Sequence, residues 1–392
     1  MNVPKLRFKE FSGEWHNCKI GDFCKILMCK RIFANETSQD YEIPFYKIGT
    51  IGETPDTFIS KKLFEIYKIK YNYPKKGELL ITCSGTVGKC IIFDGKDSYF
   101  QDSNIVWLDN PTLKVSNRFL YYLLSRVDWT KLNSTTITRI YSDNLKQLKI
   151  NYPEKEEQNK ITNLLELLDK KIELQTKKIE ALKLFKKGLL DILINNMEIE
   201  TITTLNKIGT YYSGLVGKSK EAFETGNQKY IPFMSVLENK IIIDNLPNVL
   251  ITENEHQNKV KSGDLFFTIS SETQEEVGMC STINCVEEDL YLNSFCFGYR
   301  LNNLSKIDNE FLCYLLLSRK YRNKISKLGQ GFTRVNLSKN QLLNLNVELP
   351  KIEVQIRIKN ILNTLNVLFD LEVSKLNTLN KQKKGLLQNM FV

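Results

Sequence analysis

The stretch YPEKEEQNKITNLLELLDKKIELQTKKIEALKLFKKGLL (Tyr152–Leu190) returns without a gap, 197 residues later, as LPKIEVQIRIKNILNTLNVLFDLEVSKLNTLNKQKKGLL (Leu349–Leu387). Pro153 answers to Pro350, Glu156 to Glu353 and Gln158 to Gln355. In the first copy Ile161, Leu165, Leu168, Ile172, Gln175, Ile179, Leu182, Lys186 and Leu189 are spaced alternately by four and three; in the second the same places hold Ile358, Leu362, Leu365, Phe369, Glu372, Leu376, Leu379, Lys383 and Leu386. That 3.5-residue period is the seam of a coiled coil. One seam cannot bury itself, so the economical arrangement pairs one helix with its own repeat, antiparallel, as a spacer. A proline opens each helix where a missing N–H costs little.

Working outward, shorter matches precede each helix in the same order. IPFYKI (Ile43–Ile48) resembles IPFMSV (Ile231–Val236), and KKGELLIT (Lys75–Thr82) resembles KSGDLFFT (Lys261–Thr268). VGKC (Val87–Cys90) resembles VGMC (Val277–Cys280), FLYYLLSR (Phe119–Arg126) resembles FLCYLLLSR (Phe311–Arg319), and TRI (Thr138–Ile140) resembles TRV (Thr333–Val335). The chain therefore reads as a tandem duplication of globular unit and helix. Its expected divisions are 1–152, 153–197, 198–349 and 350–392. Each globular unit reads as mixed α/β, with short strands such as GELLITC, KCIIFD and SNIVWLD, or YIPFMSVL, GDLFFTIS and SFCFGYRL, and then an apolar helix.

The 392 residues carry 55 Lys and Arg against 45 Asp and Glu, a net +10, which is compatible with a polyanionic partner. The first 196 residues hold 32 basic and 24 acidic side chains, net +8; the rest hold 23 and 21, net +2. The nine scattered cysteines suggest a reducing, cytoplasmic setting. No apolar run has signal-peptide or membrane-spanning length.

Two histidines, His16 and His256, leave little room for His-based triads or metal motifs. GLVGKS (Gly214–Ser219) has Tyr212 where a phosphate loop needs its first glycine, and GTVGKC (Gly85–Cys90) fails likewise. The pairs Cys24/Cys29 and Cys280/Cys285 read as small buried hydrophobes. No carboxylate constellation repeats, and no adenine-methyltransferase motif is present. The chain reads as a recogniser rather than a catalyst, with no metal of its own.

These residues carry a resemblance to the specificity (S) subunit of type I restriction-modification systems. PKLRFKEFSGEWHNCKIGDFCKI (Pro4–Ile26) resembles the N-terminus of many such subunits. The junctions YPEKEEQNKI and LPKIEVQIRI resemble the family's LPPLxEQxxI, with Tyr152 and Glu154 departing from it in the first and Val354 in the second. KKGLLQNMF (Lys383–Phe391) resembles its terminal helix, and Tyr211–Val236 the start of a target-recognition domain. The resemblance implies two tandem target-recognition domains separated by an antiparallel coiled coil, each reading one half of a bipartite, asymmetric DNA site. It implies that the helices set the gap and dock two methyltransferase subunits, joined by restriction/motor subunits. S-adenosylmethionine, ATP and Mg would sit on those partners and no cofactor on this chain. A specificity module serving a fused restriction-methyltransferase is the nearest alternative, and a coiled-coil scaffold without DNA function the more distant one.

Candidate DNA-contacting residues follow from loops and basic clusters. They are Thr138 and Arg139, their repeat Thr333 and Arg334, and Ser84, Thr86 and Lys89 in the loop CSGTVGK. Lys47, Lys218, Ser219 and Lys220 are further candidates. Arg319, Lys320, Arg322 and Lys324 fall in the basic run RKYRNKISK.

Overall fold

The computed structural model describes residues 2–129, 139–238, 246–284, 286, 289–331 and 333–392. They fall into two compact units: residues 1–176 with 374–392, and residues 177–373. No helix among the described residues is long and apolar enough to cross a membrane.

Unit 1 is built on a four-stranded antiparallel sheet of β1 (Lys25–Leu27), β2 (Leu79–Thr82), β3 (Cys90–Ile92) and β4 (Ile105–Asp109), in the order β1-β4-β2-β3. Its central strand is apolar on both faces because both are covered. Leu79 and Ile81 enter one core with α1 (Asn117–Ser125), while Leu80 joins Trp107 and Phe64 in a second core. Unit 2 repeats the sheet with β5 (Gly209–Ser213), β6 (Leu265–Thr268), β7 (Cys280–Thr282) and β8 (Cys296–Leu301), in the order β5-β8-β6-β7. Leu265 and Phe267 again face one core and Phe266 another. Each fully buried ring or branched chain contributes about 1.5–3 kcal/mol, so these alternating strands supply much of each core.

The long helices are α2 (Lys155–Asn195) and α5 (Ile352–Asn389). In unit 1 the first part of α2 runs against the last part of α5. Ile161 and Leu165 share a core with Met390 and Phe391, and farther along Asp169 meets Lys383 at 2.5 Å. In unit 2 the last part of α2 runs against the first part of α5: Leu190 and Ile194 share a core with Ile358 and Leu362, and Lys178 meets Glu372 at 2.6 Å. The direction is antiparallel in both. Along the seam Ile161, Leu165, Leu168, Ile358 and Leu362 are buried. Ile172, Ile179, Leu182, Leu365, Phe369, Leu376 and Leu379 are half-buried, with exposed residues between them, as the 3.5 period requires. The polar seam residues Gln175 and Glu372 are buried as well.

The junction glutamines explain why this motif recurs. Gln158 Nε2 donates to the carbonyls of Pro153 (2.9 Å) and Lys114 (3.0 Å), and its Oε1 accepts from Ser116 N–H (2.8 Å). Gln355 makes the same three bonds, to Pro350 (2.8 Å), Lys306 (3.3 Å) and Asp308 N–H (3.0 Å). Ser116 caps α1, and Asp308 caps α3 (Asn309–Leu317). One buried amide thus ties the start of a long helix to the cap of the helix packed behind the sheet.

Two of the short sequence matches are not structural matches. In unit 1 Tyr46 pairs with Phe100; in unit 2 Ile231 pairs with Leu292 and accepts from Asn293 N–H as Tyr46 does from Gln101 N–H. Ile231 therefore takes the place of Tyr46, not of Ile43. Pro232 then ends the strand expected over YIPFMSVL and opens a short helical turn, Phe233–Leu237, because its fixed φ suits a helix start. Similarly, Ile140 N–H donates to Cys83 O at 2.8 Å and Leu337 N–H to Ile269 O at 2.7 Å. Arg139 therefore answers to Asn336, and Arg334 lies two residues earlier.

Candidate nucleic-acid interface

Each sheet has one end at the junction and one end away from it. Near the junction, Asn117 Nδ2 donates to Gly77 O just before β2, and Asn309 Nδ2 donates to Thr282 Oγ1 at the end of β7. At the other end lie the loops after β2 and β6. Thr82 Oγ1 accepts from Lys89 N–H at 3.0 Å and donates to the Thr86 carbonyl, while Gly88 N–H reaches Thr82 O. Thr268 repeats the scheme with Met279 N–H (3.0 Å), the Glu276 carbonyl (3.2 Å) and Gly278 N–H. Gly88 has φ +81°, and a Cβ there would lie 2.1 Å from the Trp129 ring. That glycine, which gave the phosphate-loop likeness, is a turn residue of the fold. Met279 stands where Lys89 stands in the first copy, so the frame is kept while side chains change.

In the first loop Ser84 Oγ donates to Asn104 Oδ1 (2.7 Å), Thr86 is exposed, and Lys89 pairs with Glu53 at 2.7 Å. That ammonium holds the Glu53 carboxyl below the usual range. Lys47 donates to Thr57 Oγ1 at 2.6 Å, with Asp56 at 3.6 Å. Arg139 Nη2 lies 3.4 Å from both the carbonyl and Oγ of Ser103. Thr138 lies outside the described residues.

In unit 2 the basic run splits by role. Arg322, in α4 (Arg319–Ile325), donates to the carbonyls of Glu275 (2.7 Å), Val277 (2.6 Å) and Gly278 (2.8 Å), bracing the loop after β6 from behind. Burial lowers its guanidinium pKa. Lys320 pairs with Glu348 at 2.5 Å, Lys324 sits over the Tyr321 ring, and Arg319 has an exposed side chain. Lys218 is buried against Glu255 and the Leu250 carbonyl. Ser219, Lys220, Thr333 and Arg334 are exposed. Spacing marked five basic residues between Arg319 and Lys327 alike; only the backbone path of the neighbouring loop separates the brace from the rest. Among the described residues no cluster of His, Cys, Asp and Glu has the makings of a metal site.

Of the residues lining a depression of about 590 Å³ in unit 2, among them Phe233, Met234, Ser271, Glu272, Phe295 and Arg334, sequence reasoning singled out Arg334 and passed over the apolar ones. Its legible signal was Arg334; Phe295, exposed at the turn before β8, carried none in the sequence.

A family model described as the type I restriction modification DNA specificity domain matches residues 12–184 and again 197–381. The chain is 24% identical, over 97% of its length and 94% of the relative's, to the type I restriction enzyme MjaVIII specificity subunit of Methanocaldococcus jannaschii. It is 51% identical over 148 residues, 38% of either chain, to a putative type I restriction enzyme specificity subunit of Haemophilus influenzae. The fold matches the crystal structure of a type I restriction-modification S subunit from M. genitalium, with TM-score 0.59 and 19% identity over 100% of this chain and 99% of that one. It also matches a chain from a structure describing complex assembly and conformational transition of the type I system, with TM-score 0.60 and 14% identity over 96% and 97%.

Proposed function

Because the chain belongs to the type I restriction-modification DNA specificity family and carries its domain twice, we propose that each unit reads one half of a bipartite, asymmetric DNA site. The observation that carries this reading is the duplicated frame with unlike tips. Thr82 and Thr268, Gly88 and Gly278, and Gln158 and Gln355 hold equivalent places, while the loops they support differ in length, charge and apolar content. Two copies of one scaffold with different tips are what reading two different half-sites demands.

On this reading the paired helices set the gap between half-sites, which for sites about one turn of duplex apart is roughly 34 Å. Each helix spans about 57–62 Å at 1.5 Å per residue over 38 and 41 residues. Two methyltransferase subunits dock alongside and bring S-adenosylmethionine to an adenine in each half. Restriction subunits add the ATP- and Mg-dependent motor. This chain supplies recognition and none of that chemistry.

The test is co-expression of the chain with a methyltransferase subunit of the same system, followed by methylome sequencing. The expected result is a single bipartite motif with a fixed gap and methyladenine in both halves. Stable complex formation without any methylated bipartite motif would overturn the reading.

A further inference from the structure

The turn that leads into the last sheet strand is built on one backbone scheme in both units. Cys83 N–H donates to the Asn104 carbonyl at 2.7 Å, and Ile269 N–H to the Phe295 carbonyl at 2.9 Å. Asn104 precedes β4 and Phe295 precedes β8, and the strands leave in the same register, Thr82 opposite Ile105 and Thr268 opposite Cys296. Asn104 and Phe295 are thus the same position of the repeat, at the sheet end away from the junction.

The sequence gives that position opposite chemistry. In unit 1 Asn104 Oδ1 accepts from Ser84 Oγ, which leaves Nδ2 to donate elsewhere. The turn is held rather than loose: Ser103 sits at φ +51°, a conformation unfavourable for a side-chain-bearing residue, with Arg139 at its carbonyl and hydroxyl. In unit 2 Phe295 and Met234 are each 53% exposed and line the same depression. Two large apolar side chains left that open forfeit their burial. The carboxylates of Glu272 and Glu276 outnumber the one cation on the same depression, Arg334, so it suits the edge of a base better than the DNA backbone.

We propose that this position determines specificity in both halves of the site. Asn104 reads an adenine in the major groove through its amide, and Phe295 takes up the C5-methyl of a thymine; these are the pairings that the geometry and polarity of base edges allow. Arg139 is a positioning residue that holds the turn carrying Asn104. The inference rests on the DNA-reading function proposed above and adds which residues read and what they read.

The experiment is methylome sequencing of the full-length chain with its methyltransferase, as wild type, Asn104→Ala, Phe295→Ala and Phe295→Leu. Asn104→Ala is expected to relax one A·T position in one half-site, and Phe295→Ala one A·T position in the other. In each, preference at that position falls by about tenfold while the gap stays fixed. Phe295→Leu, still apolar, keeps the thymine. Unchanged motifs, or relaxation by both alanine variants in the same half-site, overturn the inference. So does loss of all methylation by variants that melt as the wild type does. A wild type that leaves no bipartite motif overturns the underlying reading as well, and is distinguishable from failure of the variants alone.

Discussion

The two units use the same places for different charges. In unit 1 Asp169 of α2 accepts from Tyr122 Oη at 2.8 Å and pairs with Lys383 of α5 at 2.5 Å. In unit 2 the corresponding residue is Asn366, whose amide donates to Tyr314 Oη at 2.6 Å. One turn earlier, Arg118 meets Glu166 in unit 1, whereas Glu310 accepts from Asn363 at 2.9 Å in unit 2. Tyrosine on the sheet-backing helix and a polar acceptor or donor on the long helix are kept; the sign of the charge is not. The duplication therefore preserves shape and hydrogen bonding where helix meets globular body, and lets electrostatics drift. The exchangeable charges are partly exposed, so they contribute little; the invariant groups are buried and costly to leave unpaired.

The severest way to break this equivalence is to put a charge into the seam. Leu165 and Leu362 are fully buried. Leu165→Asp should unfold unit 1 and Leu362→Asp unit 2, each at a cost above about 4 kcal/mol. Hydrogen exchange would show protection lost across the affected core, and a variant with full protection would contradict the seam. Next in size is the end of α5. Phe391, just past α5, packs on Trp15 and Phe119 with centroids at 6.4 and 5.0 Å and closes unit 1. Ile194 closes unit 2 from within α2. Phe391→Ala should cost about 3–5 kcal/mol, read from the urea midpoint of the unit 1 transition. The junction glutamines follow: Gln158→Ala and Gln355→Ala should each cost about 2 kcal/mol, since each leaves a buried N–H and two carbonyls short of partners. Unequal losses measured by chemical denaturation would show that three identical bonds do not make identical joints.

The seam was legible because its period is a local property of the chain, and the sequence match at Gln158 and Gln355 holds bond for bond. IPFYKI/IPFMSV and TRI/TRV misled because resemblance of short words ignores strand register. Backbone hydrogen bonds, not letters, align Tyr46 with Ile231 and Ile140 with Leu337. Lys218 and Arg322 looked like surface cations for a related reason. Nothing near them in sequence announces Glu255, or the carbonyls of Glu275, Val277 and Gly278. Asn104 and Phe295 were missed because their equivalence exists only once Cys83 and Ile269 are seen to share a bonding scheme.

The smallest expected effect is the most discriminating about charge. Lys186 and Lys383 are equivalent seam lysines, but Lys383 has Asp169 and the corresponding place in unit 2 holds Asn366. Burial lowers the Lys186 pKa from 10.5, partly offset by the charge of Asp370. Between that lowered value and 10.5 the unfolded chain binds a proton that folded unit 2 does not. The Lys186 contribution to stability therefore rises with pH through that window and levels off above 10.5, against the opposite trend from buried thiols such as Cys296, whose pKa burial raises to about 12. Asn366→Asp would give unit 2 the carboxylate of unit 1, raise the Lys186 pKa and flatten the rise. The difference is at most about 1 kcal/mol, because the lysine keeps some solvent access. Denaturation midpoints of unit 2 at pH 8, 9 and 10, wild type against Asn366→Asp, would measure it. Parallel slopes would mean that the drift from Asp169 to Asn366 left the lysine indifferent, and that the two joints differ in sequence but not in electrostatics.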